Sequence, residues 1–292
     1  MKMPAFCYHR PRTVEEAVGL LAQYGSEAKV LAGGQSLVPL LALRLSHPEH
    51  LVDIGRIDAL SAVDNDPAGF TVGAAVRHAD VELSPVTGRA APLVAAAMPH
   101  IGHRAIRNRG TVCGSLAHAD PAAELPAVAL ATDAELVVRS AAGERAIPAA
   151  DFFLGYLTSA LDETELLTAV RFPPWPTSTG GSVAEVSRRH GDYALVGLAA
   201  VVGVGDGGRI ERAALSFFGA GATPVRVTEA EQVLVGEHPD PALFAEAADV
   251  VAKAIEPPGD NHATAAYRAH VAGVLTRRCL AEAAGRATGG GA

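Results

Sequence analysis

The sequence predicts an α+β protein with two successive domains, and three observations lead to this expectation. The N-terminal part contains two short apolar strands that flank a glycine pair and a helix. Residues 173–181, PPWPTSTGG, combine prolines with small polar residues and glycines, which is typical of a domain boundary. Three strand-like runs and then several helix-like runs follow, an order that favours an α+β domain. We therefore expect one domain over about 1–175 and a smaller one over 176–292.

The composition favours a folded protein that keeps its thiols reduced. Hydrophobic residues make up 49% of the 292 residues, enough for a large core and too many for a disordered chain. The net charge of -8 disfavours nucleic acid or an anionic membrane as the main partner. Three cysteines, Cys7, Cys113 and Cys279, are too few for a four-thiolate metal centre. No membrane span or secretory signal is visible, so we expect a soluble cytoplasmic protein.

The N-terminal elements read as a β-helix-β unit. Thr13 and Glu16 have the spacing of a capping box, which predicts that a helix begins there. A buried strand is expected over 28–31, directly before two glycines, and another over 51–54. Ser36 is expected to cap the helix between these strands.

The rest of the first domain is expected to hold strands, helices and two irregular segments. The strands cover 70–76, 135–139 and 166–172, the helices 86–98 and 121–131, a basic irregular segment 99–110 and an extended loop 111–119.

The second domain is expected to hold an antiparallel meander followed by helices. Its strands cover 183–188, 195–204 and 210–217, and its long helices cover 241–255 and 267–284. Thr228 and Glu231 predict a capping box before another helix. The last five residues, TGGGA, are expected to be disordered.

One glycine pattern does not indicate nucleotide binding. Gly203, Gly205 and Gly208 match GxGxxG, but that fingerprint requires a helix after the glycines. Here RIERAALSFF, at 209–218, alternates like a strand. We therefore expect a hairpin turn at this position.

Residues 32–36, the AGGQS loop, are the first candidate for a ligand site. Gly33 and Gly34 permit positive φ angles and leave no Cβ in the way of a ligand. The amides of residues 33–36 would then point at an anion. A tight turn that ends in a capping serine explains the same residues, so both interpretations stay open.

Residues 107–120 are the second candidate, and they contain the TVCGS segment (111–115). Small residues keep the backbone accessible, Thr111 and Ser115 add hydroxyls, and Asp120 adds a carboxylate suited to sugar hydroxyls. Two such loops favour a clamp on a diphosphate, and they point to a dinucleotide such as FAD. An ordinary surface loop with a helix cap at Asp120 is the alternative.

Other polar residues are weaker candidates. His100, His103 and His118 with Glu124 carry metal-ligating groups, but their spacing fits no zinc pattern, so we expect structural roles. The segment before Tyr193 forms either a solvated charged turn or a polar rim over a ligand. No sequence context for a nucleophilic triad is present.

Two motifs resemble a known family. AGGQSLVPLLALRL (32–45), followed by LVDI, resembles the first flavin loop of the FAD-binding medium subunits of molybdenum hydroxylases. This is the carbon monoxide dehydrogenase medium chain and xanthine dehydrogenase FAD-subunit family. RNRGTVCGSLAHADPAAELPA (107–127) resembles its second flavin loop. Later stretches resemble the family in the correct order: 188–199, 221–236 and 266–280.

The resemblance implies a fold and a cofactor. Residues 1–175 would form a two-lobed FAD-binding domain of the vanillyl-alcohol-oxidase type, with lobes at about 1–55 and 56–175. Residues 176–292 would form a smaller domain, with a three-stranded antiparallel sheet and helices, that closes over the flavin.

The resemblance also implies which residues hold FAD. The AGGQS loop and the TVCGS segment would hold its pyrophosphate, and Asp120 its ribityl or ribose part. Leu167 would lie near the flavin or adenine, and Tyr193 beside the isoalloxazine. The implied contacts are Ala32, Gly33, Gly34, Gln35, Ser36, Thr111, Val112, Cys113, Gly114, Ser115, Ala117, Asp120, Leu167 and Tyr193. No catalytic residue and no metal ligand is implied.

In such complexes, the molybdenum cofactor belongs to a large subunit and two [2Fe–2S] clusters belong to a small subunit. The resemblance implies that this chain takes electrons from the clusters through FAD to an acceptor such as NAD or quinone, within a dimer of heterotrimers. The cofactor would carry the redox chemistry, which explains why no acid–base pair is evident. A stand-alone FAD-dependent oxidoreductase and a flavin-less binding module are the alternatives.

Cys113 departs from the family pattern TxGGS. If this position required a positive φ, the cysteine would add strain of about 1 kcal/mol or more. A conformation open to any small residue would avoid that strain. We expect FAD to bind in either case.

Overall fold

The computed structural model describes residues 2–289. Of the C-terminal stretch expected to be disordered, residues 290–292 lie outside the described residues. The hydroxyl of Thr288 donates to the carbonyl of Ala284 at the end of the last helix. No helix within residues 2–289 is long and apolar enough to cross a membrane.

The N-terminal lobe is built on a parallel three-stranded sheet of order β1-β3-β2. Its elements are β1 (Cys7–His9), α1 (Val14–Tyr24), β2 (Ala28–Leu31), α2 (Leu37–Ala42) and β3 (His50–Asp53). The sequence did not predict β1, which has only three residues. The hydroxyl of Thr13 caps α1 as expected, but Glu16 accepts from the amide of Arg12, so only half of the capping box forms. Ser36 precedes α2 without capping it through its side chain.

The second lobe is built on an antiparallel sheet of order β4-β5-β10-β6-β7. Its strands are β4 (Val63–Asp66), β5 (Gly69–Gly73), β6 (Glu135–Ser140), β7 (Gly143–Pro148) and β10 (Leu166–Phe172); β8 (Phe153–Gly155) and β9 (Thr158–Ser159) form a separate hairpin. Its helices are α3 (His78–Leu83), α4 (Pro85–Ala90), α5 (Pro92–Ala97), α6 (Arg104–Arg107), α7 (Val112–His118), α8 (Glu124–Ala131) and α9 (Ala149–Phe152).

Four sequence predictions for this lobe were wrong. The segment 99–110, expected to be irregular, contains the short helix α6. The helix expected over 86–98 is split into α4 and α5, because Pro92 cannot donate the hydrogen bond that a continuous helix requires. The helix expected from Pro121 begins at Glu124, because the Asp120 side chain accepts from the amide of Ala122 and holds a turn there. The extended loop expected over 111–119 is largely the helix α7.

The C-terminal part contains an antiparallel sheet of order β11-β12-β13-β14 and three helices. Its elements are β11 (Thr179–Ser187), β12 (Ala194–Val204), β13 (Ile210–Phe218), β14 (Val225–Arg226), α10 (Thr228–Leu234), α11 (Pro241–Ala254) and α12 (Ala265–Ala287). The three expected strands are present, but β11 begins at Thr179, inside the expected boundary segment 173–181. The two-residue β14 adds a fourth strand. The GxGxxG match lies at the β12–β13 hairpin, as predicted.

The C-terminal sheet is buried on both faces. Along β12, Ala199 and Val201 belong to the core of the N-terminal part, whereas Leu198 and Ala200 pack in a second core with the C-terminal helices. This alternation explains why β12 reads as one continuous apolar run. The sheet therefore joins the two parts of the chain through its own side chains.

An ion-pair network also joins the sheet to the end of α8. Arg226 and Arg212 both pair with Asp133, and the Arg212 contact is 2.7 Å long. Glu231 does not form the capping box expected with Thr228. Its carboxylate accepts from the amide of Leu215 and from the guanidinium of Arg226, both at 2.9 Å.

Candidate functional site: two backbone segments in contact

The AGGQS loop and the TVCGS segment meet although they are far apart in the sequence. A Cβ added to Gly33 would overlap the carbonyl oxygen of Arg109 and lie 2.6 Å from the Cα of Gly110. A Cβ added to Gly114 would lie 3.7 Å from the Cβ of Ala32. Gly33 therefore has to be a glycine, because the backbone of residues 109 and 110 approaches it too closely for a Cβ.

The AGGQS loop presents unpaired backbone donors. It leaves the end of β2, turns at Gly34 with a φ of +74°, and enters α2. The side chain of Gln35 donates to the carbonyl of Gly33 over 3.1 Å and so braces the turn. Within residues 2–289, no amide of residues 32–36 donates to a protein acceptor. These half-buried N–H groups form a site that suits a phosphate oxygen.

The TVCGS segment forms the start of α7 because Thr111 caps it. The hydroxyl of Thr111 accepts from the amide of Gly114 over 3.1 Å, and the amide of Val112 donates to Val76. Val112 and Cys113 are buried, whereas Gly114 and Ser115 stay half-buried. Gly114 is the residue of this turn that approaches Ala32 of the AGGQS loop.

Cys113 is a core residue. It is 1% exposed, its thiol lies 3.6 Å from the carbonyl of Val72, and burial raises its pKa well above the ordinary value. Cys113 does not have a positive φ, so the family's glycine is not required for the backbone here. The backbone at position 113 therefore has the conformation that accepts any small residue.

We expect Cys113→Gly to leave FAD binding unchanged and to lower the free energy of unfolding by about 1–2 kcal/mol. Glycine weakens a helix, and the lost side chain leaves a gap in the core. Equilibrium unfolding in urea and a measurement of FAD per chain test both parts. If the variant regained flavin that the wild type lacked, our interpretation of Cys113 would be wrong.

The remaining predicted FAD contacts occupy different environments. Asp120 and Ala117 are half-buried next to the TVCGS segment. Leu167 is 4% exposed within the core of the second lobe, so it presents little surface. Tyr193 lies between β11 and β12 and is 60% exposed. Partial desolvation of its hydroxyl, together with the charges of Asp120 and Glu124, raises the pKa of Tyr193 to about 12.

The four residues weighed as metal ligands are not gathered into one group. His100 lies 3.7 Å from Glu185, and His103 packs edge-on against the ring of His190. Burial lowers the pKa of His118. Within residues 2–289, one group brings three ligand atoms within 4.8 Å of one another: Glu27, Glu49 and His50.

Glu124 is a buried acid that the sequence reasoning considered only as a metal ligand. It is 6% exposed, at the first position of α8. Burial, reinforced by the charge of Glu185, raises the pKa of Glu124 to about 7. The sequence signal was available in an acid followed directly by LPAVALA, the apolar run of α8.

Glu124 makes stability depend on pH. In the folded chain the carboxyl group of Glu124 keeps its proton up to about pH 7, whereas in the unfolded chain it releases the proton near pH 4.5. The free energy of unfolding therefore falls by about 3 kcal/mol as the pH rises between these values. We expect Glu124→Gln to remove this fall, which urea unfolding at both ends of the range measures. Parallel pH–stability curves for variant and wild type would contradict the assignment.

Comparison with known proteins places these features in a family. The model of the FAD-binding domain in molybdopterin dehydrogenase matches residues 4–175. The model of the CO dehydrogenase flavoprotein C-terminal domain matches residues 182–283.

Individual relatives match this chain over nearly their whole length. The 6-hydroxypseudooxynicotine dehydrogenase complex subunit alpha of Paenarthrobacter nicotinovorans is 41% identical, covering 98% of this chain and 97% of that protein. The carbon monoxide dehydrogenase medium chain of Hydrogenophaga pseudoflava is 35% identical, over 95% and 96%. A solved structure of carbon monoxide dehydrogenase from Hydrogenophaga pseudoflava superposes with a TM-score of 0.95 at 36% identity, over 98% and 99% of the two chains. The chain therefore belongs to the family of FAD-binding medium subunits of molybdenum hydroxylases.

Proposed function

We propose that this chain is the electron-transfer subunit of a molybdenum hydroxylase complex and holds FAD between the AGGQS loop and the TVCGS segment. The observation that carries the proposal is the backbone contact of these segments next to five unpaired amides. A diphosphate has several anionic oxygens, so it suits the group of unpaired amide donors that the AGGQS loop supplies. FAD supplies both one-electron and two-electron chemistry when it is bound.

The chain's own residues have positioning roles. The amides of residues 32–36 bind the pyrophosphate, and Gly114 and Ser115 present the second backbone surface, with Ala117 next to it. Asp120 binds the sugar part, and the exposed Tyr193 contacts the isoalloxazine. Thr111 and the buried Val112, Cys113 and Leu167 act indirectly, because they hold α7 and the sheet in place.

The proposed domains follow from the connection between β10 and β11. Residues 1–175 would bind FAD, and residues 176–292 would bring Tyr193 over it. The segment 173–178 supports this division because it lies between β10 and β11 and contains three prolines.

The proposed reaction is electron transfer between partners. Electrons would come from the [2Fe–2S] clusters of a small subunit, after a molybdenum-containing large subunit has oxidised the substrate. The FAD would pass them to an external acceptor such as NAD or quinone. A complex built as a dimer of heterotrimers would allow each flavin to serve one set of clusters.

Purification tests the proposal directly. The chain is expressed alone and together with large and small subunits of such a complex, and released flavin is identified by chromatography. We expect one FAD per chain, co-purification of both partners, and substrate oxidation only by the complex. Substrate turnover by the isolated chain would favour the stand-alone oxidoreductase, and the absence of FAD from the complex would overturn the proposal.

A further inference from the structure

Arg107 is a buried arginine at the end of α6, shortly before the TVCGS segment, and the function proposed above leaves it without a role. It is 9% exposed. Its Nε atom donates to one carboxylate oxygen of Glu82 over 2.7 Å, and one Nη atom donates to the other oxygen over 3.1 Å. Glu82 lies on α3, so a bidentate ion pair joins α3 to α6.

The second Nη atom of Arg107 fixes the turn before α6. It donates to the carbonyl of Ile101 over 3.2 Å and to the carbonyl of Gly102 over 3.0 Å. One guanidinium therefore binds four acceptor atoms, two of which are backbone oxygens. Lysine carries its donors on a single nitrogen and cannot reproduce the planar fork that reaches all of these acceptors. The arrangement is therefore specific to arginine.

The first residue of α3 holds Gly110, which directly precedes Thr111. The amide of His78 donates to the carbonyl of Gly110 over 2.9 Å. A Cβ added to Gly110 would lie 3.0 Å from the Nδ1 atom of His78, so the ring packs against this glycine. Within residues 2–289, neither ring nitrogen of His78 has a hydrogen-bond partner. The ring therefore contributes packing, and the backbone of Gly110 contacts both His78 and Gly33.

A short stretch of chain connects Arg107 to Gly110. The amides of Arg109 and Gly110 both donate to the carbonyl of Ile106, over 3.1 and 2.8 Å, so this stretch forms a tight turn at the end of α6. The carbonyl of Arg109 and the Cα of Gly110 are the atoms that exclude a Cβ at Gly33. A movement of α6 relative to α3 would therefore move the backbone that limits the approach of the AGGQS loop.

We propose that Arg107 is a positioning residue for FAD, which acts by holding the Arg109–Gly110 backbone against the AGGQS loop through its ion pair with Glu82. The inference rests on the proposed function, because the AGGQS loop and the TVCGS segment are the proposed site of the pyrophosphate. Backbone amides have no rotamers with which to adjust, so their fit to an anion depends on how the two segments are placed. The buried Arg107 sets that placement from within the protein.

The test compares the FAD affinity of Arg107→Lys with that of the wild type, by flavin fluorescence on the full chain freed of flavin. We expect a loss of about tenfold, the effect of one charge-assisted hydrogen bond that no longer orients the site. Arg145→Lys is the matched control. Arg145 lies on β7 of the same lobe, and both contacts of its bidentate pair with Glu165 are 2.8 Å long. This control should bind FAD like the wild type, because β7 contributes to neither segment.

A double-mutant cycle separates positioning from a general loss of stability. Arg107→Lys should cost less FAD affinity in a Gly33→Ala background than in the wild type, because the backbone contact is already displaced there. Circular dichroism in buffer establishes that every variant compared is folded. Equal losses in the two backgrounds would show that Arg107 does not act through the contact at Gly33, and would overturn the proposal.

The outcomes also distinguish this inference from the proposed function. Wild-type affinity in Arg107→Lys refutes the positioning role alone, because FAD is then still bound. A wild-type complex that holds no FAD overturns the proposed function as well. If Arg107→Lys does not fold, Glu82→Gln replaces it, because the side chain of Glu82 is 24% exposed and the new amide keeps one acceptor for Arg107. Unchanged FAD affinity in that variant likewise refutes the positioning role.

Discussion

Replacing Gly33 with alanine is expected to lower the affinity for FAD by about two orders of magnitude. The added Cβ would overlap the carbonyl oxygen of Arg109 and lie 2.6 Å from the Cα of Gly110. Both neighbours are backbone, so the contact is relieved only if the AGGQS loop moves away from residues 109 and 110, which directly precede the TVCGS segment. Overpacking of this kind costs about 1–3 kcal/mol, and about 2.8 kcal/mol corresponds to a hundredfold change in affinity.

Flavin binding to the flavin-free chain, followed by fluorescence, measures this change. The matched control is Gly88→Ala on α4, because a Cβ at Gly88 meets no atom within 4 Å. We expect the control to bind FAD like the wild type. A Gly33→Ala variant with wild-type affinity would mean that the contact between the two segments does not shape the site.

Replacing Gly180 with alanine is expected to lower the free energy of unfolding by about 3 kcal/mol. Gly180 lies on β11 where α12 crosses it, and its added Cβ would overlap the carbonyl oxygen of Ala283. The same atom would lie 2.7 Å from the amide nitrogen of Ala287. The helix would have to lift from the sheet and expose part of the second core, which is at the upper end of overpacking effects.

Urea unfolding measures this loss, and a second alanine variant separates it from a general effect of glycine replacement. A Cβ at Gly19, within α1, meets no atom within 4 Å. Gly19→Ala should therefore raise the free energy of unfolding by about 0.5–1 kcal/mol. If both variants were equally stable, the approach of α12 to β11 would not limit the size of residue 180.

The long elements and the two ligand segments could be predicted from the sequence because their signals are local. β2 and β10 have the expected bounds, since each is a short, mainly apolar run that is followed closely by glycine or directly by proline. The AGGQS loop was identified because consecutive glycines between a strand and a helix have a direct conformational meaning. The role of Cys113 was not fixed by the sequence, because its φ depends on whether Thr111 caps a helix.

The sequence by itself determined the composition of the core, the order of the elements, the two segments that carry the FAD motif and, through its motifs, the family. These properties depend on residue type and spacing along the chain. Only the tertiary structure decided that the backbone of Gly33 approaches that of Arg109, and that Glu124 is buried at the start of α8. Such contacts join residues distant in sequence, and their energies depend on packing and on the exclusion of water, which no local pattern encodes.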